Sequence, residues 1–264
     1  MSTPLTIVKL GGSVITHKEL EGVANQEVID RLSRELAEAR RSSLKLVVTH
    51  GGGSYPHPVA ARFRVHEGYG EGGEEKLMGY ALTQDAAARI NRLITSSLLR
   101  HGVPAVSIQP SAIMVSEDGE VKECYLNPLQ RMLKLGFVPV LYGDAVVDTR
   151  KGFTIVSAEA IIKSLSPLLK PERIVVCVDV DGVYDRYPGG DLIDVICSDN
   201  IEKVKVGLGN ARGFDVTGGM LHKVSMLYSL ATQGYPSIIV NGLKPGLLLK
   251  ALKGEKCTGT LIKK

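Results

Sequence analysis

Short apolar runs alternate along this chain with longer segments of helical periodicity, and this alternation restricts the possible folds more than any other feature. Most of the runs lack regularly spaced polar residues, as in strands that are covered on both faces. Strands and helices in alternation favour a mainly parallel sheet with helices on both sides, so we expect an α/β fold. The predicted strands span residues 5–10, 45–50, 104–108, 138–142, 174–180 and 237–241.

Three helices and two hairpins are predicted between and after these strands. Apolar residues recur every four positions over residues 28–36, which is typical of a helix packed on one face. A second helix is predicted for residues 74–100, and a third begins after Gly219. Residues 115–121 and 144–156 each carry turn residues inside them, which predicts β-hairpins outside the parallel sheet.

The composition excludes several classes of function. A length of 264 residues with no low-complexity linker is compatible with one domain, and a hydrophobic share of 44% is enough for its core. The formal charge of +4 is too small and too evenly spread to predict nucleic-acid binding. The four cysteines lack zinc-site spacing, so we predict no metal site and expect reduced thiols.

Neither a membrane segment nor a signal peptide is predicted. The chain enters its first apolar run at residue 5, and no run reaches the roughly 20 residues that a membrane helix needs. We therefore expect a cytoplasmic protein that does not associate with membranes.

Three glycine-rich turns mark where this chain could bind an anion. Residues 11–13 follow the first strand, residues 51–54 follow the second, and residues 215–219 open the third helix. Glycines in such turns let backbone N–H groups converge on phosphate oxygens, and ligands bind at the carboxyl ends of strands in open α/β sheets. Each turn alone is also compatible with an ordinary tight connection. The Walker sequence and the GxGxxG sequence are both absent, so a nucleotide would be bound by another arrangement.

Two lysines accompany these turns, and a third lies close to one of them. Lys9 is the charged residue of an otherwise apolar strand, and Lys223 lies about one helical turn after Gly219, from where it can reach a phosphate. Phosphoryl transfer needs such fixed positive charges because negative charge spreads over the oxygens of the transferred group. Lys18, in the loop after the first turn, is explained equally well as a ligand or as a solvated surface residue.

Carboxylates and one histidine complete the candidate site. Asp144 and Asp179 lie at the ends of predicted strands and could orient the lysines or hold Mg²⁺, whereas Asp181 before Gly182 is better explained by a turn. His57 stands shortly after the second glycine turn, between two prolines that restrict the backbone. This setting predicts a hydrogen-bond donor aimed at an anionic acceptor; the alternative is a loop histidine bonded to backbone.

Taken together, these motifs resemble the amino acid kinase superfamily and, more narrowly, its isopentenyl phosphate kinases. The glycine and lysine motifs are typical of the superfamily, whereas His57 in its setting points to the branch whose acceptor carries a phosphate. The resemblance covers essentially the whole chain. The matching segments are residues 9–18, 50–58, 142–144, 179–184, 215–223, 241–242 and 259–260.

This resemblance implies both a fold and a reaction. The fold would be a three-layer αβα sandwich with a mainly parallel central sheet, in one domain and assembled as a homodimer. The acceptor half would span about residues 1–166 and the nucleotide half about residues 167–264. The reaction would be ATP-dependent, Mg²⁺-assisted phosphorylation of isopentenyl phosphate to isopentenyl diphosphate, in the mevalonate route of isoprene biosynthesis.

The resemblance also implies roles for individual residues. Lys9, Lys223, His57 and Asp144 would be catalytic, with Asp144 organising the lysines. The residues expected to bind ATP are Lys9, Gly11, Gly12, Ser13, Lys18, Asp179, Tyr184, Gly218, Gly219 and Lys223. The residues expected to bind the acceptor are Gly52, Gly53, His57, Tyr80, Thr83 and Gly143.

The isoprenoid tail of such an acceptor would need an apolar slot. Tyr80 and Thr83 are the preferred candidates because both are amphipathic and lie three residues apart on one helix face. Ile113 and Ile155 are further candidates, although ordinary core packing explains these isoleucines equally well.

The chain departs from the family pattern in two places. Val178 stands where many relatives have a hydroxyl residue, and Tyr55-Pro56 stands where relatives often have Phe-Gly.

A kinase of the same fold for a phosphonate such as fosfomycin is the nearest alternative function. Glutamate, acetylglutamate, UMP and carbamate are less expected acceptors. A non-catalytic nucleotide-binding regulator is disfavoured because Lys9 and Lys223 are both present.

Overall fold

A computed structural model of the protein describes residues 4–71, 73–186, 188–210 and 219–264. The strands are β1 (Leu5–Leu10), β2 (Lys45–His50), β3 (Ala105–Ser107), β4 (Met114–Glu117), β5 (Glu120–Cys124), β6 (Val138–Tyr142), β7 (Asp144–Asp148), β8 (Gly152–Val156), β9 (Arg173–Val178), β10 (Val195–Ile196), β11 (Ser237–Asn241) and β12 (Thr260–Ile262). The helices are α1 (Gly12–Ile15), α2 (Gln26–Arg41), α3 (Pro56–Arg62), α4 (Gly73–Arg100), α5 (Asn127–Leu135), α6 (Ala158–Leu169), α7 (Ile201–Asn210), α8 (Gly219–Thr232) and α9 (Leu247–Lys253).

The central sheet has eight strands in the order β10-β12-β11-β9-β1-β2-β6-β3. Neighbouring strands are parallel throughout, except that β12 runs antiparallel to β11. The strand β1 lies at the middle of the sheet, paired with β2 on one side and β9 on the other. The mainly parallel α/β fold predicted from the sequence is therefore confirmed.

Helices cover both faces of this sheet. Successive residues of β1 point to opposite faces, so Val8 packs with α2, α4 and α9 on one side while Ile7 packs with α5, α6 and α8 on the other. Both residues are fully buried, which explains why the strands lack alternating polar residues. The result is the expected three-layer αβα sandwich.

The two predicted hairpins join in a second, four-stranded sheet of order β5-β4-β7-β8. Asp148, at the end of β7, holds the turns of this sheet together. Its carboxylate accepts hydrogen bonds from the hydroxyl of Ser116 and from the backbone N–H groups of Gly119, Arg150 and Lys151. These donors hold the pKa of Asp148 well below its usual value although burial alone would raise it.

Two departures from the sequence prediction bear on the candidate site. The strand predicted for residues 174–180 ends at Val178, so Asp179 begins a loop instead of ending the strand. The expected division near residue 167 falls inside α6, whose Pro167 lies in the last turn of the helix. Strands from both sides of that division share one sheet, and the assignment of an acceptor half and a nucleotide half stays a prediction.

The parallel strands bring the predicted site residues to one edge of the sheet. The strands β1, β2, β6, β9 and β11 all end there, because parallel neighbours point the same way. Gly143, Asp179, Gly242 and the first two glycine turns directly follow these ends. Two residues of α2 stabilise the loop that follows β11. Arg31 donates a hydrogen bond to the Gly242 carbonyl, and Glu35 accepts hydrogen bonds from the amides of Gly246 and Leu249 at the start of α9.

Candidate active site

The first two glycine turns pack against each other backbone to backbone. A Cβ on Gly12 would lie 2.5 Å from the amide nitrogen of Gly53, and one on Gly51 would lie 2.9 Å from the amide nitrogen of Gly12. Gly53 also has a φ of +55°, which L side chains rarely adopt. Glycine is therefore required here for close approach, and the two turns form one continuous backbone surface at the end of β1 and β2.

Lys9 and Lys223 converge on one carboxylate beside this surface. The ammonium group of Lys9 forms a hydrogen-bonded ion pair with Oε1 of Glu159, and Nζ of Lys223 lies 3.8 Å from the same oxygen. Lys223 also donates a hydrogen bond of 3.3 Å to the Gly219 carbonyl. Although these lysines come from β1 and α8, the fold brings both of them to the Glu159 carboxylate.

Glu159 is placed by the start of α6. Ser157 caps this helix by accepting a hydrogen bond from the amide of Ala160, and an acidic residue in the first turn is favoured by the helix dipole. Burial raises the pKa of Glu159, but the Lys9 and Lys223 ammonium groups outweigh this effect and hold the pKa below its ordinary value. The carboxylate is thus ionised at neutral pH and can fix both lysines.

Asp144 has surroundings different from those predicted. Its Oδ2 accepts a hydrogen bond of 2.9 Å from the amide of Ser111, and its Oδ1 accepts one from the amide of Ala145. Burial raises the pKa of Asp144 to about 6, with these hydrogen bonds opposing the shift. The lysine contacts that we expected of Asp144 are made by Glu159 instead, while a catalytic role for Asp144 stays a prediction.

Lys18 and Asp179 form an ion pair across the mouth of the site. Nζ of Lys18 lies 2.6 Å from Oδ2 of Asp179, which follows β9. Burial raises the pKa of Asp179, but hydrogen bonding and charge from Lys18, with a weaker hydrogen bond from Ser13, lower it overall. The two loops that were expected to contact ATP are therefore linked before any ligand binds.

His57 lies in the first turn of α3, close to the lysine pair. Loss of hydration lowers the pKa of the His57 ring below 6.5, the nearby charge of Glu159 opposes this shift, and Lys9 adds to it. His57 is exposed to solvent. At neutral pH it is an uncharged imidazole that can donate one N–H to an incoming anion.

A buried polar network supports the second glycine turn from below. His50 ends β2 with its ring fully buried, stacked on Tyr142 at a centroid distance of 5.6 Å. Its Nδ1 lies 2.9 Å from the Gly51 carbonyl and its Nε2 lies 3.1 Å from Nδ2 of Asn91 in α4. Burial lowers the pKa of His50 to about 4, so the neutral ring donates to Gly51 and accepts from Asn91.

Of the four residues predicted to form the apolar slot for the acceptor, two belong to one aromatic cluster and two lie outside it. Tyr80 lies 5.2 Å from the ring of Phe153, in a cluster that includes Phe63 and Ile155. Thr83 is buried and donates a hydrogen bond of 2.7 Å to the Gly79 carbonyl of its own helix. Ile113 packs instead on the core of the sandwich and is not part of this cluster.

The remaining predicted residues lie at the same edge of the sheet where the structure describes them. Gly143 donates its amide to the His50 carbonyl, Tyr184 follows the loop after β9, and Gly219 opens α8. A Cβ on Gly52 would lie 2.0 Å from the ring of Pro56, so a side chain there would clash. Gly218, predicted to bind ATP, lies outside the described residues.

Glu159 was missed by the sequence reasoning. It is one of 28 acidic residues, it adjoins no glycine turn, and its partners are distant in the chain. The available signal was local: a serine at residue 157 directly before an apolar helical segment is typical of a helix start, where a carboxylate often lies.

Metal ligands and membrane segments were sought in the described part of the chain. In residues 4–71, 73–186, 188–210 and 219–264, no group of three or more His, Cys, Asp or Glu side chains is placed to hold a metal ion. Within the same ranges, no helix is both long and apolar enough to cross a bilayer.

Comparisons with known proteins agree with this geometry. The model of the amino acid kinase family matches residues 4–241. An isopentenyl phosphate kinase of Methanothermobacter thermautotrophicus is 40% identical over 270 residues, covering 98% of each chain. Another from Methanocaldococcus jannaschii is 34% identical over 264 residues, covering 95% of this chain and 96% of the relative.

A solved structure gives the same answer for the fold. The protein described by "X-ray structures of isopentenyl phosphate kinase" superposes with a TM-score of 0.86 at 36% identity, covering 98% of this chain and 100% of the other. The family match, the full-length relatives and the shared fold are consistent with the paired lysines and glycine turns. The chain therefore belongs to the amino acid kinase family, in its isopentenyl phosphate kinase branch.

Proposed function

We propose that the protein transfers the terminal phosphoryl group of ATP to isopentenyl phosphate, giving isopentenyl diphosphate and ADP. The observation that carries this proposal is the convergence of Lys9 and Lys223 on Glu159, beside the paired glycine turns and His57. The names of the full-length relatives support the acceptor, and no feature of the described residues favours a phosphonate or a purely regulatory role.

The transfer itself needs position and positive charge more than it needs a base. An oxygen of the acceptor phosphate forms a bond to the γ-phosphorus while the bond from that phosphorus to the β–γ bridging oxygen breaks, and ADP leaves with the electron pair. Because the acceptor phosphate is largely ionised near neutral pH, no strong general base is required. In this account Lys9 and Lys223 stabilise the charge on the moving group, and Glu159 fixes their positions.

His57 would hold the acceptor. An uncharged ring with one N–H donor suits a phosphate that approaches over Gly52 and Gly53, which follow the end of β2. The cluster around Tyr80 and Phe153 would receive the apolar tail, since it lies beside Asp144 on the acceptor side. Asp144 would help to orient this side of the site through Ser111.

ATP would bind across the ends of β1, β9 and α8. Gly11, Gly12 and Ser13 would cradle the transferred phosphoryl group, with Lys18 exchanging Asp179 for phosphate oxygens. We propose that Mg²⁺ enters with the nucleotide, because Mg²⁺ keeps several waters and usually binds through one or two carboxylates plus phosphates. Asp179 is the carboxylate that fits this use. When bound, the ion supplies charge neutralisation to the phosphate oxygens.

A panel of acceptors tests the function. Purified protein with ATP and Mg²⁺ would be given isopentenyl phosphate, fosfomycin, UMP or glutamate, and ADP release would be followed. We expect turnover with isopentenyl phosphate alone, and in His57→Ala a fall in kcat/KM of about 10²-fold, as for other lost oxyanion donors. His66→Ala, which removes a largely exposed histidine, is the matched control.

Other outcomes of this panel separate the alternatives. Turnover with fosfomycin but not isopentenyl phosphate would keep the kinase and reject the acceptor. No ADP release with any of the four acceptors would contradict the proposed reaction. The homodimer, the cytoplasmic location and the place in the mevalonate route stay predictions that this assay does not address.

A further inference from the structure

Thr16 joins the two glycine turns through one buried hydroxyl. Its Oγ1 donates a hydrogen bond of 2.8 Å to the Gly12 carbonyl and accepts one of 3.0 Å from the amide of Ser54. The first bond is local, but the second links segments that are 38 residues apart in the chain. The side chain is 3% exposed, so water does not compete for either bond.

The surroundings of Thr16 leave this hydroxyl little freedom. A side chain at Gly53 would collide with Oγ1, which shows how tightly Thr16 fills the corner between the turns. The backbone of Thr16 pairs with Ala24 in an isolated bridge, and the loop between them returns to donate from Gly22 to the Ser54 carbonyl at 2.9 Å. The loop up to Ala24 thus fixes the backbone of Thr16, while its hydroxyl contacts both turns.

From this geometry we propose that Thr16 is a positioning residue that sets the separation between the transferred phosphoryl group and the acceptor phosphate. The inference rests on the proposed function, in which the turn at Gly12 holds the first group and the turn at Gly53 holds the second. Thr16 acts through these backbone segments and touches neither substrate.

A hydroxyl is the group that this position requires. It donates and accepts at once, so it gives the Ser54 amide an acceptor and adds a second donor to the Gly12 carbonyl, which also accepts from the Thr16 amide. Valine has nearly the same shape but makes neither bond, which frees the turns to shift relative to each other. Because a misplacement of about 1 Å between reacting groups can cost about 10²-fold in rate, a small shift is enough to slow transfer.

The test compares Thr16→Val with Thr16→Ser in the full chain. For Thr16→Val we expect kcat with ATP and isopentenyl phosphate to fall about 10- to 100-fold while both KM values stay within about threefold. Thr16→Ser, which keeps the hydroxyl, should stay within about threefold of the unchanged protein. Ser166→Ala is the matched control, since it removes a buried hydroxyl that also donates to the carbonyl four residues earlier, but far from the site.

A second measurement does not depend on catalysis. Hydrogen exchange of the Ser54 amide, resolved by NMR without substrates, should be about tenfold faster in Thr16→Val and unchanged in Thr16→Ser and Ser166→Ala. Unaltered exchange at Ser54 in Thr16→Val would overturn the proposal, as would a normal kcat in that variant.

The two hypotheses fail in different ways. If the unchanged protein does not phosphorylate isopentenyl phosphate, the proposed function is lost, and the exchange rate at Ser54 alone then decides whether Thr16 links the turns. If turnover is normal but Thr16→Val loses only thermal stability, Thr16 is structural and the positioning role is rejected.

Discussion

At the scale of single residues, Glu159 explains how two lysines can be held close together without a ligand. Two ammonium groups repel each other, and burying one of them costs free energy because its hydration is lost. A nearby carboxylate compensates for both effects. Oε1 of Glu159 contacts both Lys9 and Lys223, and Lys9 is only 6% exposed. The carboxylate therefore holds both lysines at the same place before substrates arrive.

Replacing Glu159 tests this explanation. In Glu159→Gln the amide keeps the shape but loses the negative charge, so we expect kcat to fall about 10²-fold as the lysines lose their shared counter-charge. The KM for isopentenyl phosphate should change little. Steady-state kinetics would measure both, with Glu120→Gln as control because it removes an exposed pair with Lys163. A kcat within twofold of the unchanged protein would refute the role of Glu159.

At the scale of elements, the buried side chain of His50 ties β2, α4 and β6 together beneath the second glycine turn. His50 bonds to Gly51 and Asn91 and stacks on Tyr142. Asn91 in turn accepts from the hydroxyls of Thr95 and Ser107, so the network reaches β3 as well. A satisfied polar network of this kind specifies how the helix and strands fit together.

The pH dependence of stability should reveal this network. In the folded protein the pKa of His50 is about 4, whereas an unfolded histidine has about 6.5, so between these values the unfolded state binds more protons. Stability contributed by the neutral ring is therefore lost as the pH falls through this window. We expect His50 to account for a loss of about 2 kcal/mol in the free energy of unfolding between pH 7.5 and pH 5.

Urea denaturation at several pH values measures this contribution. In His50→Gln the loss between pH 7.5 and pH 5 should be smaller by about 2 kcal/mol, because glutamine does not titrate. His66→Gln is the control, since that histidine is largely exposed. Identical pH slopes in all three proteins would show that His50 is not buried in its neutral form.

The elements and residues that could be predicted from the sequence are those with local signals. Apolar runs gave the bounds of β1, β2, β6 and β11 correctly. Lys9 could be singled out because burying a charged side chain in an apolar strand is costly, so its presence there indicates a functional role. The lysine contacts expected of Asp144 are made by Glu159, because residues near different strand ends are equivalent in sequence and only packing decides which carboxylate faces the lysines.

Long-range pairing could not be predicted in the same way. The two hairpins were expected, but their union in one sheet depends on the pairing of β4 with β7, which begins at Ser116 and Asp148. Similarly, nothing near Thr16 in the sequence indicates Ser54 as its partner. Contacts of this kind arise from the three-dimensional fold, and a local pattern does not record them.

At the scale of the whole molecule, one edge of the sheet carries the charged residues and the two described glycine turns of the candidate site. Chain segments from Lys9 to Lys223 meet there because five parallel strands end at that edge. The ion pair of Lys18 with Asp179 links the loops after α1 and β9 there, and His57 lies in the first turn of α3 near Lys9 and Glu159. This arrangement suits a reaction in which two anionic substrates must be brought together against their mutual repulsion.

The most direct test of the account is the identity of the product. A mixture of the protein, ATP, Mg²⁺ and isopentenyl phosphate would be followed by ³¹P NMR, with Lys223→Ala in parallel. The account predicts the paired resonances of a new diphosphate monoester appearing together with ADP, and a far slower change with Lys223→Ala. Release of ADP with free orthophosphate only, or the same rate with Lys223→Ala, would contradict it.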